Sequence, residues 1–121
     1  MMEAEVDSAK NLLKISYTQR VTPEETRRGA ERIASLLDKL QPGFRLLTDL
    51  LRLESMDLGC VPHIEGVMDL CDQKGIQKVV RIIPDPHKDI GLNIMSLFHY
   101  QRRVLIVTCE TMEEATRALE G

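Results

Sequence analysis

The sequence contains no tryptophan and only two phenylalanines and two tyrosines in 121 residues. Platforms that stack bases are built from aromatic side chains, so this scarcity argues against single-stranded nucleic-acid binding. Positive charge is not in excess either. Sixteen Lys and Arg against 19 Asp and Glu leave a formal net charge of −3, which gives no electrostatic reason to bind nucleic acid or an anionic membrane. Cysteine is sparse: Cys60, Cys71 and Cys109 form an odd set with no C-x-x-C pair, which excludes a disulfide framework or zinc ribbon and points to a reducing cytoplasm. The apolar runs fall far short of the ~20 residues of a membrane span. The acidic start Met1-Met2-Glu3-Ala4-Glu5 lacks the apolar region of a signal peptide. Nor is there a Gly-x-Gly-x-x-Gly or a Gly-Lys-Ser/Thr phosphate loop.

What remains is an ordinary globular balance, 43% hydrophobic and 29% charged, long enough for one core without staples. Strand and helix signals alternate along it. Asn11 to Thr18 places Leu13, Ile15 and Tyr17 at the period-2 spacing of a half-buried strand, and Glu3 to Ser8 can pair with it as an edge strand across Ala9-Lys10. Thr22-Pro23-Glu24-Glu25 carries a cap, a proline at the first helical position and a glutamate that closes a capping box. The helix it opens should turn Ala30, Ile33, Ala34, Leu37 and Leu40 inward and end at Gln41-Pro42-Gly43. Phe44 to Leu51 reads as a buried strand, with Leu53 to Gly59 as its end and turn. Pro62 to Lys74 puts Ile64, Val67, Met68 and Cys71 in one stripe and stops at Gly75. Val79 to Ile83 is a β-branched strand broken by Pro84-Asp85-Pro86. Asp89 to Tyr100 suits a helix through Ile94, Met95 and Phe98, although Ile90, Leu92 and Ile94 also alternate. Val104 to Thr108 is a last buried strand, and Thr111-Met112-Glu113-Glu114 opens a final helix that turns Ala115, Ala118 and Leu119 to the core. This order predicts one α/β domain over residues 1–121, with its core at about 11–119, as a small sandwich whose mostly parallel sheet carries crossover helices.

Cys60 and His63 stand three residues apart near a helix start, where the dipole can activate a thiol. No third ligand or orienting acid has a recognisable spacing, so the expectation is a half-buried Cys60, an exposed His63 and no metal or cofactor. Cys71 and Cys109 fall at core positions. His87 and His99 are expected in surface or packing roles. Asp57 could end a strand as a phosphoacceptor, but the acidic residues and lysine that would accompany it are missing: Gln19-Arg20-Val21 follows Thr18, and Cys109-Glu110 follows Thr108.

From Asn11 to Leu119 the chain resembles a STAS domain, the fold of bacterial anti-sigma-factor antagonists. The resemblance centres on the Asp49-Leu50 pair and on Met56-Asp57 at the spacing where the family has a hydrophobic-Asp-Ser-Ser-Gly turn. The Thr111-Met112-Glu113-Glu114-Ala115 opening is also similar to the family's last helix. It implies a non-catalytic regulatory module that binds another protein, such as an anti-sigma-factor-like regulator, and that has scope for a homodimer. The contact face would comprise Asp57, Leu58, Gly59, Cys60 and His63. The family's phosphorylated serine has no counterpart, because the turn reads Asp57-Leu58-Gly59-Cys60. Ser55 falls on the strand. A phosphate would bring ~1.5–2 negative charges to the helix entrance, and this turn has no hydroxyl to carry it. Leu58 would then either offer constitutive contact or pack inward as a staple. Two other readings are a small-molecule or nucleotide module with its cleft at the carboxyl ends of the strands, and an enzyme built on Cys60.

Overall fold

The computed structural model describes residues 1–83, 85, 91–101 and 103–120, including every side chain among them except those of Asn93 and Ile94. Five strands form one sheet in chain order: β1 (Met2–Asp7), β2 (Leu12–Val21), β3 (Arg45–Met56), β4 (Lys78–Ile82) and β5 (Leu105–Cys109). β1 pairs with β2 antiparallel, and the β2–β3, β3–β4 and β4–β5 pairings are parallel. The last strand is not buried as expected, because β5 lies at the edge of the sheet and Leu105 is 55% exposed. The expected α/β sandwich with a mostly parallel sheet is therefore what the chain forms.

Among the described residues four α-helices accompany the strands: α1 (Pro23–Leu36), α2 (Val61–Lys74), α3 (Leu92–His99) and α4 (Met112–Glu120). None of the helices among the described residues is long and apolar enough to cross a membrane. The capping box of α1 is complete, with Glu25 N donating to Thr22 Oγ1 at 3.3 Å and Thr22 N donating to Glu25 Oε1 at 3.2 Å. Pro23 follows at the first position, where its missing N–H costs nothing. At α4, Glu114 N donates to Thr111 Oγ1 at 3.2 Å. Gly75 stops α2 in the left-handed region at φ 100, which a side chain rarely adopts.

The core divides at the sheet. On one face Leu13, Ile15, Tyr17, Leu46 and Leu50 meet Ile33 of α1, Ile64, Val67 and Met68 of α2, and Leu92 and Met95 of α3. On the other, Leu12, Leu47, Val80 and Ile82 meet Ala115 of α4, with Ala118 and Leu119 beside them. One inward position of α1 is corrected: Ala34 is exposed, and the buried face runs through Thr26, Ile33 and Leu36 into Leu37 and Leu40. Thr26 belongs there because its hydroxyl is satisfied by Pro23 O at 2.9 Å, which removes the cost of burying it.

β2 and β3 also run further than their apolar patterns. Beyond Thr18 and Leu51 they stay paired through Gln19–Leu53, Arg20–Ser55 and Val21–Met56, after one register shift between Ser16 and Thr18 and across a second between Gln19 and Arg20. Gln19 takes up the irregularity at φ 58, a region costly for a residue with a side chain. The extension carries the end of β3 to Met56, so that the Asp57 turn follows a paired strand and is held at the carboxyl end of the sheet.

Candidate functional site

The turn after β3 is a single 3-10 turn over Leu58–Cys60, and it runs directly into α2. Asp57 N donates to Val21 O at 3.3 Å, and Cys60 N donates to Asp57 O at 3.0 Å. The Asp57 carboxylate makes no capping bond. It pairs instead with the exposed Arg20 guanidinium, whose Nη2 lies 3.3 Å from Oδ2. This ion pair ties the ends of β2 and the turn together at the surface, where such pairs contribute little to stability.

Leu58 is 88% exposed. It does not pack inward as a staple. It stands at the rim of an apolar pocket of about 180 Å³ whose walls are Met56, Val61, Ile64 and Met95, with Asp57 at the edge. Gly59 is also exposed, and its lack of a side chain has a steric reason. A Cβ built there would lie 2.8 Å from Pro23 Cγ, so glycine allows the turn to sit against the start of α1. His63 is half-buried on the first turn of α2 rather than exposed.

Cys60 is fully buried, deeper than the half-buried position expected. Its thiol points to Val21 O at 3.6 Å, and a nucleophile so enclosed meets no substrate. Cys71 is buried as well, and burial pushes its thiol up to about 12. Cys109 is the third buried free cysteine. Among the described residues no group of three His, Cys, Asp or Glu is placed to hold a metal.

Of the five sequence-derived site residues, the structure places Leu58 and Gly59 on the surface, Asp57 and His63 partly so, and Cys60 inside. The missed contributors lie on α3. Met95 forms a wall of the pocket, and Leu97 and Phe98 are each 80% exposed on the same helix. The packing of α3 against α2 carries the second unforeseen feature. His99 Nε2 lies 2.7 Å from Glu65 Oε2, and Nδ1 lies 2.7 Å from Asp69 Oδ1. His87 lies outside the described residues.

Beneath the same helices lies a cavity of only about 20 Å³, lined by Tyr17, Thr48, Ile64, Arg81 and Tyr100 among others. Its size suits one water. Arg81 is almost wholly buried and donates to Ser96 Oγ on α3, while Ser96 Oγ donates to Leu92 O at 2.8 Å. Burial raises the Tyr17 and Tyr100 hydroxyls above their ordinary range, so both stay protonated.

The sequence matches no protein-family model and no curated protein. Solved structures do match. The anti-sigma factor antagonist SpoIIAA in its unphosphorylated form aligns with a TM-score of 0.68 at 15% identity, over 100% of this chain and 99% of that one. The fold is SpoIIAA-like. An uncharacterized protein from Shewanella loihica with a SpoIIAA-like fold aligns at 0.72 and 15% identity, over 98% of this chain and 92% of that one. A chain from the complex of the diguanylate cyclase SiaD with its activator SiaC from Pseudomonas aeruginosa aligns at 0.57 and 11% identity, over 89% and 92%. The STAS-like architecture is thereby met at the level of the fold.

Proposed function

We propose that this chain is a non-catalytic, cytoplasmic regulatory module that docks a partner protein at the Asp57–Cys60 turn and the head of α2. The partner class that the SpoIIAA-like fold suggests is an anti-sigma-factor-like regulator, and the matched chain from the complex of SiaD with its activator SiaC supports binding to a protein partner. One observation carries the reading: a leucine stands almost fully exposed over an apolar pocket at the entrance of a helix. Such a side chain is expensive to leave in water and gains roughly 1.5–3 kcal/mol when a partner covers it. The pocket, at about 180 Å³, falls below the ~300–1,000 Å³ of small-molecule sites, which favours a partner's side chain over a nucleotide.

The contact is constitutive in this reading. Asp57, Leu58, Gly59 and Cys60 offer no hydroxyl for phosphate, and Ser55 lies within β3. The buried thiol of Cys60 holds the turn from below and does no chemistry.

Leu58→Asp tests the proposal. A partner is first recovered from native cell lysate on the immobilised wild-type chain, identified by mass spectrometry, and then titrated against both proteins. The expected result is a loss of affinity of about tenfold to a hundredfold, the equivalent of the apolar burial removed, with an unchanged unfolding transition. Equal affinity for the two proteins would sink the docking face.

A further inference from the structure

α3 is fastened to α2 through one ionisable ring. Both nitrogens of His99 sit 2.7 Å from carboxylate oxygens, Nε2 from Glu65 and Nδ1 from Asp69, which occupy successive turns of α2. A neutral imidazole has one N–H and one lone pair, so in that form one nitrogen would face a carboxylate with no proton between them. Only the imidazolium satisfies both contacts. We propose that His99 is a pH-dependent latch, which closes α3 onto α2 when protonated and releases it when the proton leaves.

The remaining groups around α3 agree with this assignment. α2 presents Glu65, Asp69 and Asp72 to the segment that ends α3. Asp72 is engaged by the Gln101 N–H at 3.1 Å and lies 3.6 Å from Arg103. From β4, Arg81 reaches the inner side of α3 through Ser96. The arginines keep their charge at all relevant pH values, and among the described residues at this contact His99 is the side chain whose ordinary titration falls near neutrality. The hydrogen bonds to Asp69 and Glu65 raise its pKa against the opposing effect of burial. The sign follows from linkage. A group whose pKa is raised on folding stabilises fully below its unfolded value of about 6.5, and that stabilisation disappears as pH climbs through the folded value.

Release has a consequence for docking. Met95, one turn before His99, is a wall of the pocket beside Leu58, so loosening α3 removes a wall and weakens the contact. This consequence rests on the docking reading; the latch does not.

The test uses the full chain without a partner. The His99 ring resonances are followed by NMR from about pH 6 to about pH 9, together with amide exchange in α3 corrected for intrinsic rates. The expected result is titration above about 6.5 and, in step with it, a tenfold loss of α3 protection for each unit by which closure has raised the pKa. His99→Gln should show low protection that no longer varies with pH. If that variant fails to fold, Glu65→Gln with Asp69→Asn should return the ring to its ordinary titration. The latch is overturned if His99 titrates at or below its ordinary value, or if α3 protection stays constant while the ring titrates. Either failure would leave the Leu58 result standing, and a failure of Leu58→Asp would leave this one standing.

Discussion

Ile64→Ala is expected to lower the unfolding free energy by about 2–5 kcal/mol, the range for truncating a buried branched side chain. Ile64 is buried in the first turns of α2 and forms part of two cavity linings at once. On its outer side is the apolar pocket beside Leu58, and on its inner side is the small space next to Tyr17 and Arg81. Removing its three outer carbons joins the two. The walls cannot collapse easily, because Val67 and Met68 are already packed against the sheet, so the upper half of the range applies. Urea unfolding should show the midpoint falling with an unchanged slope. A loss below about 1 kcal/mol would mean that α2 relaxes into the gap, and the pocket would then be soft rather than preformed.

Gly59→Ala should cost about 1–3 kcal/mol, the usual penalty for forcing an extra carbon into a filled space. The cause is the 2.8 Å approach to Pro23 Cγ. The proline ring is rigid and its position is fixed by the capping box of α1, so the turn must move outward and carry Leu58 with it. Pro23→Ala in the same background removes the ring and should restore part of the loss. A double-mutant cycle by thermal unfolding measures that coupling, expected at about 0.5 kcal/mol or more for residues in contact. Strict additivity would show that the glycine serves some purpose other than this close approach.

The alternation of strands and helices could be read locally because its punctuation is local. Thr22-Pro23, Gly75 and Thr111 each act within a turn of the chain, and the structure uses all three as expected. The far halves of β2 and β3 could not be read that way. Their pairing survives two register shifts and a left-handed Gln19, and these are properties of the two strands together. In the site, the apolar character of Leu58 was visible in the sequence, but its direction was not, since an inward staple and an outward contact share one pattern. Its exposure decides between them. Cys60 is buried because the turn folds beneath β2, where Val21 O meets the thiol. The site roles of Met95 and His99 are not legible locally for a different reason. Their roles depend on α3 lying across α2, and the partners of His99 stand 30 and 34 residues away in the chain.

The surface that a partner covers is the most direct test of the account. Hydrogen exchange of the complex against the free chain resolves that surface segment by segment. New protection is expected at 57–64 and at the exposed side of α3 around Leu97 and Phe98, with the opposite face of the sheet unchanged. There Glu3, Ser16 and Asp49 line an open groove. Protection centred on that groove, with Leu58 and its neighbours exchanging as in the free protein, would contradict the central claim.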